Sequence, residues 1–98
     1  MIDLPPQIDG SADATLQDAY ARAAGSNPAE VLLNFAGVDY INSTGIALIV
    51  GILARARKDG RTVSAFGVSD HYREIFEVTR LSDFIAMFPD EQSALATR

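Results

Sequence analysis

The chain has 98 residues, 48% of them apolar, with thirteen Asp and Glu against eight Lys and Arg and a net charge of −5. This length suits one domain spanning 1–98, which buries roughly two thirds of the surface its unfolded form exposes. The apolar content is too high for a disordered chain. The acidic balance argues against nucleic acid as a partner, because a phosphate-backbone binder needs a basic face. Cysteine is absent, so disulfide and thiol chemistry are excluded. The longest apolar run, Gly45 to Ala54, is about half the length of a membrane span. The N-terminus shows no basic stretch followed by an apolar core, so no signal peptide is visible. The expectation is a cytoplasmic protein without a membrane span.

Met1 to Leu4 reads as the end of a strand, stopped by Pro5 and Pro6, which have no N–H for a sheet ladder. Asp9-Gly10-Ser11 reads as a turn and helix start. A helix follows from Ala12 to Ala24, with Leu16, Ala19, Tyr20 and Ala23 on one face. Gly25-Ser26-Asn27-Pro28 ends it. Val31 to Phe35 is an apolar run between turn signals, expected as a strand buried on both sides. Ala36 to Ile41 is expected as a loop. A second helix runs from Thr44 to Lys58, its apolar face formed by Ile46, Ile49, Val50 and Leu53. Arg55, Arg57 and Lys58 in its last turn suit the helix dipole. Asp59-Gly60 closes it.

Thr62 to Phe66 is a further strand, broken by Gly67. Ser69 or Asp70 caps a third helix that runs to about Thr79, with Tyr72, Ile75, Phe76 and Thr79 inward. Leu81 to Met87 contains a short last strand, and Phe84, Met87 and Phe88 are expected in the core. Asp90 caps a last helix carrying Ala94 and Leu95. Strands and helices thus alternate, which implies an α/β fold: a mostly parallel four-stranded sheet with about four helices and right-handed crossovers. In such sheets ligands and partners meet the loops at the strand C-terminal ends. Here those loops are 7–11, 37–43, 67–70 and 88–90.

The loop Asp39-Tyr40-Ile41-Asn42-Ser43-Thr44-Gly45 feeds directly into the apolar helix. The first-turn N–H groups of a helix have no internal partners, and a phosphate there is favoured by those donors and by the dipole. Ser, Thr and Asn are also ordinary N-cap residues. The residues alone leave both readings open for Ser43, a phosphorylation site or a plain cap.

Ile41-Asn42-Ser43-Thr44-Gly45-Ile46, followed by an apolar helix, resembles the signature loop of bacterial anti-sigma factor antagonists, which are STAS domains. Gln7-Ile8-Asp9, six residues before Thr15-Leu16, resembles the family's Gly-Glu-Leu-Asp approach to its first helix. Val31–Phe35 matches the strand before the signature. Ser69-Asp70-His71-Tyr72-Arg73-Glu74-Ile75-Phe76 and Thr79-Arg80-Leu81 resemble the third helix and the loop after it. Together these pieces cover most of the chain.

The resemblance implies partner switching. The unphosphorylated antagonist binds a serine kinase that is also an anti-sigma factor, phosphorylation breaks that complex, and a PP2C-type phosphatase restores it. The phosphorylated serine corresponds to Ser43, with Thr44 as the neighbouring, less favoured hydroxyl. Asp9 matches an acidic residue near the phosphosite. The partner-binding set it implies is Asp9, Asn42, Ser43, Thr44, Gly45, Ile46 and Ser69, with Gly45 giving close access to a partner. Asn42 stands where many members have Asp, so it can orient a hydroxyl without adding a negative field. Only a few residues precede Pro5, so the family's first strand is expected to be missing or shortened, or the chain to be cut from a longer one. The exposed edge this leaves invites homodimer formation. An alternative consistent with Asn42 is a non-phosphorylated structural STAS subunit of a transporter or multidomain regulatory complex.

His71, the one histidine, has no ligand-spaced partners and is read as structural or surface, with no metal site. Asp70 and Glu74 are read as capping and solvating the third helix. No glycine precedes Ser43 at the spacing of a nucleophile elbow, and no P-loop or Gly-x-Gly-x-x-Gly run is present. No catalytic residue and no cofactor are therefore expected, and the chain is read as a binding protein rather than an enzyme.

Overall fold

Val31, Leu32 and Leu33 follow one another without a polar side chain, and all three are buried. Their strand, β3 (Glu30–Asn34), lies inside a four-stranded sheet in the computed structural model, which describes residues 1–96. On one flank β5 (Thr62–Phe66) pairs with it over its whole length, from Glu30 opposite Thr62 to Asn34 opposite Phe66. On the other flank lies β1, reduced to Ile2–Asp3, which agrees with the shortened first strand expected. The last strand, β6 (Ala86–Phe88), lies outside β5. All three pairings are parallel.

The two faces of the sheet are covered unequally. Val31, Leu33, Phe35, Val63 and Ala65 belong to the main core, together with residues of α1 (Asp13–Ala24), α2 (Ser43–Lys58) and α3 (Asp70–Val78). Within it the Phe35 and Phe76 rings meet edge to face, with centroids 5.9 Å apart. On the other face Leu32 and Phe66 form a smaller cluster with Ala94 of the short helix α4 (Glu91–Ala96), and Phe88 packs against it. Caps fall where the sequence places them at two helices. Ser69 accepts from the Tyr72 N–H at 3.4 Å, and Asp90 accepts from the Ser93 N–H at 2.8 Å. The Ser93 N–H holds the Asp90 carboxyl below its ordinary value of 3.8.

Four expectations are corrected. The buried stripe of α2 is Ile49, Ile52, Leu53 and Ala56, and Val50 is 42% exposed. Apolar residues lie nearly all round this helix, so packing rather than period selects the face, and Ala56 gives the close approach. Phe84 is 53% exposed, because a 3-10 turn at Leu81–Asp83 carries it outward, where the Arg57 guanidinium covers its ring at 5.5 Å. Thr79 is exposed and sits at the end of α3, its hydroxyl donating to the Ile75 carbonyl at 2.8 Å. The segment 36–41, read as a loop, contains the two-residue strand β4 (Tyr40–Ile41), which pairs with an equally short β2 (Gln7–Ile8).

Tyr20 of α1 is fully buried yet polar at its tip. Its hydroxyl donates to Asp59 Oδ2 at 2.8 Å, Asp59 in turn pairs with Arg61 at 3.0 Å, and the Arg55 guanidinium lies 4.6 Å above the ring. Burial first, and then the Asp59 bond, push the phenol above its ordinary value of 10.0. A phenol is neutral when protonated, so this contribution to stability is full below the unfolded value and is lost as pH rises through the folded one. Tyr20→Phe should lower the unfolding free energy by about 1 kcal/mol, the net worth of one hydrogen bond. It should also flatten the alkaline end of the stability profile, measured by urea unfolding across that range.

Candidate functional site

The site stands at the end of the sheet where β1, β3 and β5 finish. Leu4 extends β1 by one bond, its N–H donating to the Asn34 carbonyl at 3.1 Å. Pro5 and Pro6 then end the ladder, since neither has an N–H. The carbonyl of Pro6 accepts from the Asp39 N–H at 2.8 Å and the Tyr40 N–H at 3.2 Å. From there Gln7 lies opposite Tyr40 and Ile8 opposite Ile41, and the Ile8 carbonyl accepts from the Asn42 N–H at 3.2 Å. This small ladder brings Asp9, which follows Ile8, to the level of Asn42 and Ser43.

Asn42 is extended, with φ −93° and ψ −179°, and its Oδ1 accepts from the Gly45 N–H at 2.8 Å. Asn42 is therefore the N-cap of α2, and Ser43 is the first helical residue. The plain-cap reading of Ser43 is thereby excluded. Ser43 and Thr44 are both exposed, and neither hydroxyl makes a hydrogen bond among the described residues. Their N–H groups belong to the helix turn that has no intrahelical acceptors.

Gly45 is buried, not open to a partner as the family likeness implied. A Cβ built on it would stand 1.8 Å from the Ile8 carbonyl oxygen and 2.6 Å from its carbon. The missing side chain is thus what lets β2 rest on the first turn of α2. A Cβ on Gly10 would lie 3.5 Å from the Thr44 methyl, so the 9–11 turn sits beside Thr44. Asp9 accepts from both the N–H and the hydroxyl of Ser11. These bonds, the hydroxyl first, hold its carboxyl below the ordinary 3.8. It is ionised at neutral pH.

Ile41 donates its N–H to the buried Tyr72 hydroxyl at 2.8 Å, so α3 grips the ladder from behind. Ser69, the exposed cap of α3, lies on the loop after β5 at this same end. Ile46 is half-buried and packs against the main core. Sequence reasoning did not single out Tyr40, which is 49% exposed beside the site. The signal for it is the alternation of an exposed Tyr40 with a buried Ile41, over a strand too short to show a period. The His71 ring stacks edge-on against Tyr72, with centroids 4.8 Å apart. No group of three or more His, Cys, Asp or Glu suited to a metal ion occurs among the described residues. No helix among them is long and apolar enough to cross a membrane.

Known proteins share this fold. The family model of the STAS domain matches residues 1–94. The anti-sigma-B factor antagonist of Staphylococcus aureus is 34% identical over 56 residues, which are 57% of this chain and 52% of that protein. The match therefore spans about half the length of that relative. A STAS-domain anti-sigma-factor antagonist protein from Planctomyces limnophilus superimposes with a TM-score of 0.76 at 20% identity, over 99% of this chain and 98% of that one. The Bacillus cell fate determinant SpoIIAA, in its phosphorylated form, gives a TM-score of 0.70 at 16% identity, over 98% of this chain and 87% of that one.

Substitutions separate the frame of this site from its surface. Gly45→Ala sets a methyl against backbone that cannot retreat, and should cost about 3 kcal/mol or more. Asn42→Ala removes the cap and should cost about 1 kcal/mol, while Asn42→Asp keeps it. Thr44→Ala, on the exposed side of the same turn, should stay within about 0.5 kcal/mol of the parent. Chemical denaturation of the four variants checks the order.

Proposed function

The chain belongs to the STAS domain family, and we propose that it acts there as an anti-sigma factor antagonist switched by phosphorylation of Ser43. In this reading the unmodified surface around Asp9, Asn42, Ser43, Thr44 and Ser69 binds an anti-sigma factor that is also a serine kinase. Phosphorylation of Ser43 releases that partner, and a PP2C-type phosphatase restores the binding form. The observation that carries the reading is an exposed Ser43 whose hydroxyl makes no hydrogen bond among the described residues, next to an asparagine that already caps the helix.

The chemistry follows from that separation of tasks. Because Asn42 satisfies the Gly45 N–H, esterifying Ser43 breaks no hydrogen bond of the fold. The phosphate meets the positive end of the α2 dipole and the unpaired first-turn N–H groups. It adds about −1.5 to −2 charge at a surface where Asp9 is already ionised. The folded state tolerates the group, and a partner docked on Ser43 does not. The switch is thus one of surface charge and bulk, with the backbone left in place.

The relative named an anti-sigma-B factor antagonist and the neighbour solved in a phosphorylated form support this reading. Incubation with the cognate kinase and ATP, followed by peptide mass spectrometry, should place the phosphate on Ser43. Ser43→Asp should melt at or slightly above the temperature of the parent, since an acid at a helix start contributes about 0.3–1 kcal/mol. It should nevertheless bind the kinase at least about tenfold more weakly, a loss of about 1.4 kcal/mol. Ser43→Ala should bind it constitutively. An active kinase that leaves Ser43 unmodified favours instead a structural STAS subunit, for which Asn42 in place of the family Asp speaks.

A further inference from the structure

The outward side of α2 is left uncovered by the rest of the chain. Ser43, Ala47, Val50, Gly51, Ala54 and Lys58 recur at three- and four-residue spacing, share one side of the helix and are all exposed. No charged residue occurs from Ser43 to Ala54, so an apolar strip of about three turns runs between a hydroxyl at one end and a cation at the other. Val50, at its middle, is 42% exposed.

Gly51, beside Val50, has no reason within the fold. A Cβ built there meets nothing within 4 Å, whereas one at Gly45 strikes the Ile8 carbonyl. Glycine inside a helix costs stability relative to alanine, and its usual return is the close approach of another backbone. No part of this chain makes that approach. At the end of the strip, Arg55 donates to Gln17 and lies over the Tyr20 ring, and Arg57 lies over Phe84. The Lys58 ammonium has no ion pair and no hydrogen bond among the described residues.

We propose that α2 pairs antiparallel with α2 of a second copy of this chain, about a two-fold axis between Val50 and Gly51. That register sets the Val50 side chain of each copy over the bare backbone at Gly51 of the other. It also sets Ala47 against Ala54, and Ser43, with the ionised Asp9 at its level, against Lys58. Each contact occurs twice, because the strip is complementary to itself end for end. That self-complementarity of shape and charge selects a second copy as the occupant. Side chains this small let helix axes approach to about 8 Å. The second copy thus brings an ammonium to Ser43, which donates to its hydroxyl and becomes a counter-charge when an acid stands there. One helix face per copy is at the small end of specific interfaces, so the pairing is reversible. It rests on Val50, Gly51 and Lys58 and does not require that a kinase modify Ser43.

Sedimentation equilibrium of the chain from micromolar to millimolar concentration tests the pairing. Ser43→Asp should tighten the dimer about fivefold, since two surface ion pairs form per dimer. Repulsion between chains of net charge −5 alone predicts the reverse. Lys58→Glu should cancel the gain. Gly51→Leu should melt at or above the temperature of the parent and weaken the dimer at least about tenfold, and Gly51→Ala should do the same to a smaller degree. Because the chain has no cysteine, Ala47→Cys and Ala54→Cys chains mixed under oxidation should cross-link to each other in preference to themselves. A monomer at every concentration in both the parent and Ser43→Asp overturns the proposal, and loss of kinase binding in Gly51→Leu then assigns the strip to that partner. A dimer that Gly51→Leu leaves intact, or one in which Ala47→Cys links to itself as readily, overturns it as well.

Discussion

The seating of the Ile8 carbonyl against Gly45 is the contact on which the upper half of this molecule depends. Strands of two residues have almost no stability of their own, and β2 and β4 are both that short. They hold because every neighbour contributes. The Pro6 carbonyl takes two N–H groups, the Ile8 carbonyl takes that of Asn42, and the Tyr72 hydroxyl takes that of Ile41. The helix can come close enough to close this arrangement only where a residue lacks a side chain. One glycine thus fixes the separation of β2 from α2, and with it the positions of Asp9, Asn42 and Ser43.

Helix α2 joins two regions of opposite character. At its start the dipole is positive, the side chains are hydroxyl and amide, and an ionised Asp9 lies nearby. At its end Arg55, Arg57 and Lys58 face the negative pole, and the chain turns through Asp59 and Gly60 into Arg61. The basic end is built into the fold through Asp59, which takes both the Tyr20 hydroxyl and the Arg61 guanidinium. The starting end is left chemically unfinished, with the Ser43 and Thr44 hydroxyls making no hydrogen bond among the described residues. Structure is concentrated at one pole of the helix and exposed chemistry at the other.

Much of this was legible in the residues. The apolar run Val31–Phe35 and the bounds of Thr62–Phe66 mark the sheet, and Gly60 and Ser69 punctuate the helices beside it, because turn and cap chemistry is local. The β2–β4 ladder was not legible, since two residues cannot display a period of two. On α2, Ile49 and Leu53 are buried and Ile46 half-buried as their spacing predicts, whereas Val50 lies outside, because several apolar stripes are on offer and only tertiary packing chooses among them. Phe84 was misread because an aromatic shielded by an arginine looks, in sequence, like one shielded by a core. Within the site, hydroxyl and amide at adjacent positions gave no sign of which one caps the helix. Backbone geometry assigned that task to Asn42. The meaning of Gly45 was likewise invisible, because the atom it avoids comes from a residue 37 positions earlier in the chain.

The division between Gly45 and its neighbours has a consequence for how such a protein diversifies. Position 45 is closed to drift, since any Cβ there meets backbone. Positions 44 and 43, one and two residues away, are exposed and open to change. A duplicated copy of this chain can therefore alter what its loop says to a partner while inheriting the scaffold intact. New pairings within a family of switches become accessible by single substitutions that leave folding untouched, and cross-talk between paralogues can be removed one surface residue at a time.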